Sequence, residues 1–173
     1  MSNNNLFRYG GAAAILGILI MFGAAALPAL VGIGFLVIAA YYFALYLAES
    51  SVLNLIAILS TVGGAILALF TAATPNHLYN VAFLTGLALP PLLAGLAFNG
   101  KADFPRALAI TGIVGGVFGL LNFVVVAAIG GGDYTNMMNN PALAPLIYVT
   151  YIPSMLAVMV WLVWGGIRLF RKA

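Results

Sequence analysis

Charged residues divide this chain into long stretches that contain none of them. Asp, Glu, Lys and Arg are absent from residues 9–48, 50–100, 107–132 and 134–167. Within these stretches lie runs such as "ALAITGIVGGVFGLLNFVVVAAI" at 107–129, whose most polar members are Thr111 and Asn122. A hydrocarbon layer of ~30 Å demands about 20 consecutive apolar residues from each spanning helix. The chain is 65% hydrophobic with a mean hydropathy of +1.17, so a water-soluble fold of 173 residues would lack the polar surface to cover itself. The expected fold class is all-α: a single polytopic membrane bundle over residues 1–173, lying in a lipid bilayer.

Six spans follow from the apolar runs and their interruptions, at about 9–27, 29–48, 51–73, 81–98, 105–130 and 145–170. The block from Tyr9 to Ala48 is too long for one crossing and just long enough for two, with "AAALPAL" around Pro28 as a tight turn. Arg8, the apolar segment from Ala12 to Phe22 and the following small residues imitate a secretory signal. They are read here as the first membrane helix. Ser50 or Ser51 is available to cap the third span. Pro105 suits the first turn of the fifth, which ends in three consecutive glycines at 130–132.

Six crossings bring the N-terminus, the "AES" turn, the "NGKADFPR" loop and the C-terminus to one side. The six cations Arg8, Lys101, Arg106, Arg168, Arg171 and Lys172 all fall there, and the opposite turns hold none. That bias marks cytoplasmic loops and predicts a cell inner (plasma) membrane protein with both termini cytoplasmic. Five crossings, with the first block as one long tilted helix, would strand Arg8 on the other side. The cations are thus topology signals, and without a basic patch interleaved with aromatics no nucleic acid partner is expected. With no cysteine, disulfides and thiolate metal sites are excluded. Tyr41, Tyr42, Tyr46, Trp161 and Trp164 are placed as an aromatic belt at the cytoplasmic interface, and Tyr79, Tyr134 and Tyr148 at the other.

Span five carries the strongest local pattern. Gly112 and Gly116 form one GxxxG pair, Gly115 and Gly119 another, with Thr111 extending the second row. Small residues at this spacing let helix backbones approach closely in lipid, so these are read as helix-packing residues. Asn122, one turn beyond Gly119, is positioned to hydrogen-bond across that contact. Span three offers a similar stripe in Asn54, Ala57, Thr61, Gly64, Ala65 and Ala68. Pro90 and Pro91 in span four and Pro153 in span six predict kinks that loosen backbone carbonyls. A possible cavity is therefore assigned to Pro90, Pro91, Asn122, Thr150 and Pro153. In the longest connection, Met137 and Met138 sit among asparagines as an exposed pair; a plain solvated loop is the simpler reading, and a partner contact the alternative.

Ionisable residues inside hydrocarbon usually serve function, and none is placed near mid-membrane here. Proton coupling, voltage sensing and Schiff-base chemistry thereby lack their usual residue. His77, at the non-cytoplasmic surface, is a possible axial ligand for a haem or pigment, although a solvated loop histidine is the simpler reading. No catalytic residues, metal site or cofactor are assigned.

From "FPRALAITGIVGGVFGLLNF" through "YIPSMLAVMVWLVWGGIRLF", the chain resembles small multipass bacterial integral membrane proteins of unknown function, in which a Pro-Arg pair opens a Gly-rich helix and the last helix ends in a basic tail. The resemblance covers the last two spans and implies no activity. The expected function is non-catalytic: an accessory or scaffolding subunit packing against other membrane proteins, a second copy or lipids. The first alternative is a transporter or channel for a small neutral or apolar solute. The second is a haem- or pigment-binding subunit through His77.

Overall fold

The computed structural model describes residues 3–23, 29–71 and 77–172, so the expected turn at Pro28 and the segment 72–76 lie outside the described residues. Helices are α1 (Asn3–Gly23), α2 (Leu30–Ala48), α3 (Val52–Thr71), α4 (His77–Phe83), α5 (Leu89–Phe98), α6 (Arg106–Ile129), the short α7 (Tyr134–Asn139) and α8 (Ala144–Lys172). A π turn at Leu84–Ala88 joins α4 to α5, so that these form one crossing. Among the described residues six helices are long and apolar enough to span a membrane, and no strand occurs. The chain is an integral membrane protein of all-α class.

Each span packs against its neighbours in sequence, and α8 returns to α1 to close the ring. Closure is tight. A side chain on Gly11 of α1 would strike the Gly166 carbonyl and the Phe170 amide of α8. This contact sets the start of α1 and the end of α8 at one end of the bundle, here the terminal end, together with the connection between α5 and α6. The other end, the loop end, carries α7.

Local sequence explains the element boundaries. Ser51 caps α3, its Oγ accepting the Asn54 N–H at 3.1 Å. At the far end of α6, Gly131 and Gly132 take φ of 62° and 84°, a region that side chains resist, and the Gly132 N–H returns to the Val126 carbonyl at 3.0 Å. Two helices start earlier than the apolar runs suggest. Residues 3–8 contain no helix breaker, and Phe7 packs on the core, so α1 begins at Asn3. The fourth crossing begins at His77.

Lipid tails are as apolar as leucine, so close packing, rather than escape from water, must hold such helices together. Phe35, Tyr41, Tyr42, Leu108, Val158 and Trp161 are fully buried in one core that runs through the ring. Leu59, Phe70, Val124, Val149 and Phe170 instead point outward and are exposed, as a surface facing lipid requires. The belt assigned to Tyr41, Tyr42 and Trp161 is thereby corrected: these rings fill the interior, and Trp164 remains on the exterior. Met137 is corrected as well. It is fully buried with Val126 and Ile147 beneath α7 and offers no exposed contact.

Candidate functional site

The fourth crossing is distorted where its prolines demand it. Pro90 and Pro91 have no N–H to give, and their rings crowd the carbonyls one turn back. The backbone widens into the π turn just before them, with the Leu89 N–H bonding five residues back to Leu84. Side chains take up the loosened groups: Ser60 Oγ of α3 donates to the Thr85 carbonyl at 2.6 Å, and Thr85 Oγ1 donates to Val81 O at 2.8 Å. Gly64 of α3 meets the backbone of Gly86 in the π turn, while the Phe35 ring lies over Gly86 from α2. Both prolines are buried in packing.

On α6 the glycines of both rows lie against the fourth crossing and α8. A Cβ on Gly116 would strike Leu92 of α5, and one on Gly115 would meet Val158 of α8 at 2.9 Å. Gly112 lies between the Pro91 carbonyl and the Trp161 ring, and Gly119 between Ala88 and Ser154. Ser154 Oγ crosses to donate to the Gly115 carbonyl at 2.8 Å. Thr111 turns its hydroxyl back to Ala107 O at 2.8 Å, within its own helix. Asn122 Nδ2 donates across to Thr150 Oγ1 at 2.9 Å, and that hydroxyl donates in turn to the Leu146 carbonyl at 2.9 Å.

These contacts hold apart a space in the loop-end half of the bundle. A cavity of about 220 Å³ lies between α4 with its π turn, α6, α7 and α8, lined by Phe83, Asn122, Phe123, Tyr134, Tyr151 and Ser154 among others. A second, of about 390 Å³, reaches α1 and α2 and is lined by Ile18, Met21, Val31, Val158, Met159 and Leu162. Tyr79, Phe83, Leu87, Tyr151 and Met155 line both, so the two adjoin along these side chains and are together termed the chamber. None of the described lining residues is charged. Asn80 Nδ2 is held by the Gly132 carbonyl, and Ser154 by Gly115. Burial, with the nearby hydroxyls of Tyr151 and Tyr148, pushes the Tyr134 phenol up to about 12, so it stays neutral.

No family model, curated protein or solved structure matches this chain.

Of the residues assigned to a cavity, Asn122 lines the chamber. Pro90, Pro91, Thr150 and Pro153 do not: Thr150 orients the Asn122 amide, and the prolines shape the crossings. His77 opens α4, and its side chain lies outside the described residues. Sequence reasoning missed Tyr79, Phe83, Tyr134, Tyr151, Ser154 and Met155. One signal was present: Tyr151, Ser154, Met155, Val158 and Leu162 repeat at helical spacing and mark one face of α8.

Toward the terminal end the ring is filled. Tyr41 packs edge-on to Trp161 at 6.5 Å, Phe98 stacks on Phe104 at 4.2 Å, and Phe104 lies 5.9 Å from Trp161. The Tyr41 hydroxyl and Trp161 Nε1 are buried there without a hydrogen-bond partner among the described residues. Above these rings Lys101 pairs with Glu49 at 2.9 Å, and Arg168 spans the Phe104 ring at 5.0 Å while donating to the Asp103 carbonyl. Asn54 Nδ2 anchors the neighbouring turn by donating to Glu49 O at 2.8 Å.

Proposed function

We propose that this chain is a non-catalytic membrane protein that takes a small, uncharged, largely apolar molecule into its bundle, in the manner of a carrier. The observation that carries this reading is the chamber between the fourth and sixth crossings, closed below by packed aromatics. Pockets of roughly 300–1,000 Å³ lined by apolar and aromatic side chains are where small ligands bind. The lack of a charged lining residue favours a neutral guest, because an ion would lose its hydration with no countercharge in return. Filled rings in the terminal half argue against a continuously open channel.

One of the features behind the accessory-subunit reading, the small-residue helix faces, gives it no support. The small-residue faces of α3 and α6 are spent on neighbours within the ring, which leaves them unavailable to an outside partner. We also assign the terminal end to the cytoplasmic side of a cell membrane, on the strength of the six cations gathered there.

Native mass spectrometry of the protein extracted from its own membranes tests the proposal. The wild-type chain is expected to carry an added small-molecule mass, and Met155→Trp, at a position that borders both cavities, is expected to lose it while keeping its elution volume. Identical bare masses for the two proteins would overturn the reading.

A further inference from the structure

The chamber is not uniformly apolar: its unspent polar groups gather at one end. Thr150 fixes the Asn122 amide through one N–H, leaving its second N–H and Oδ1 without a partner among the described residues. The hydroxyls of Tyr134 and Tyr151, whose rings lie 5.9 Å apart, likewise bond to no described residue. All three side chains line the same cavity, at the loop end, where a bilayer is polar. Tyr151 and Met155 also border the adjoining cavity, whose lining on α8 continues through Val158 and Met159 to Leu162, joined by Ile18 and Met21 of α1. At ~1.5 Å per residue, Tyr151 to Leu162 spans roughly 16 Å, the scale of a medium-length hydrocarbon chain.

Resting on the chamber reading above, we infer that the ligand is a neutral single-chain amphiphile, with a hydroxyl or carbonyl head seated among Asn122, Tyr134 and Tyr151 and its apolar body running inward toward Leu162. A tyrosine hydroxyl donates and accepts, and so does an amide, so a head of either kind finds a partner. A carboxylate or ammonium head would be stripped of water beside neutral side chains alone. A pure hydrocarbon would leave the three polar groups unpaired. The orientation matches that of surrounding lipid, with the head level with the interface, so a guest drawn from the bilayer enters without turning over.

Photolabelling separates these possibilities. Diazirine-bearing analogues of dodecanol, dodecanoate and dodecane are offered at equal membrane concentration to the full chain in lipid nanodiscs, and labelled residues are mapped by mass spectrometry. The alcohol is expected to mark chamber residues such as Phe83 and Met155 about fivefold more than either of the others, the worth of one neutral hydrogen bond of ~1 kcal/mol. Tyr151→Phe and Asn122→Ala are expected to bring alcohol labelling down to the alkane level and leave alkane labelling unchanged. Equal labelling by alkane and alcohol, or stronger labelling by the carboxylate, overturns the head assignment while the chamber stands. Labelling of the chamber by none of the three overturns both.

Discussion

Gly165 sits so close to the Tyr41 hydroxyl that a Cβ there would collide with it, whereas Gly63 of α3 has open space where its side chain would be. The same mutation class should therefore split by position. Gly165→Val is expected to lose more than ~2 kcal/mol through overpacking and a displaced aromatic ring. Gly63→Ala is expected to gain about 0.5–1 kcal/mol, since alanine costs a helix less than glycine. Thermal unfolding in detergent measures both, and a similar loss in each would contradict the packing described. Tyr41 supports a prediction of opposite sign. Its hydroxyl is buried without a partner among the described residues, and such a group costs about 1–3 kcal/mol. Tyr41→Phe should raise the unfolding temperature, and a fall would mean that the hydroxyl is engaged. The sequence placed this ring correctly along span two, yet assigned it to an interface, because position along a helix does not say which face looks inward.

The π turn of the fourth crossing is the element that sequence anticipated least fully. A kink at Pro90 and Pro91 was legible, because proline's missing donor is a local property. The widened turn before it was not, since its extra carbonyl is answered by Ser60 from another helix. Ser60→Ala is expected to destabilise by about 0.6 kcal/mol, the average for an interhelical bond in a membrane. It should also speed hydrogen exchange of the Leu89 amide, whose bond closes the π turn. Unchanged exchange would show that the turn holds without α3. On α6, by contrast, the glycine spacing told in advance that two rows of close contact exist. Which neighbours the glycines meet depends on the order of helices around the ring, and one helix's sequence does not contain that order. Tyr134, Tyr151 and Asn122 converge for the same reason: they come from three elements, and only the fold brings them together.

At the scale of the molecule, counting apolar runs was enough to obtain six crossings and an all-α bundle, because the bilayer fixes element length. Closure of α8 on α1 was not legible, since it rests on Gly11 and Gly166, which lie at opposite ends of the chain. The absence of native cysteine makes the layout directly testable. Single cysteines at Arg8, Lys101 and Arg171 should react with an impermeant maleimide from one side of the membrane, and one at Asn139 from the other. Reaction of positions 8 and 171 from opposite sides would dismantle the ring. The proposed function turns on an occupied chamber. An experimental density map of the chain in nanodiscs of its native lipid measures this most directly. Elongated non-protein density running between the fourth crossing and α8, from Tyr151 toward Leu162, is the predicted result. Side chains of these two helices meeting across that space, with no density between them, would contradict it.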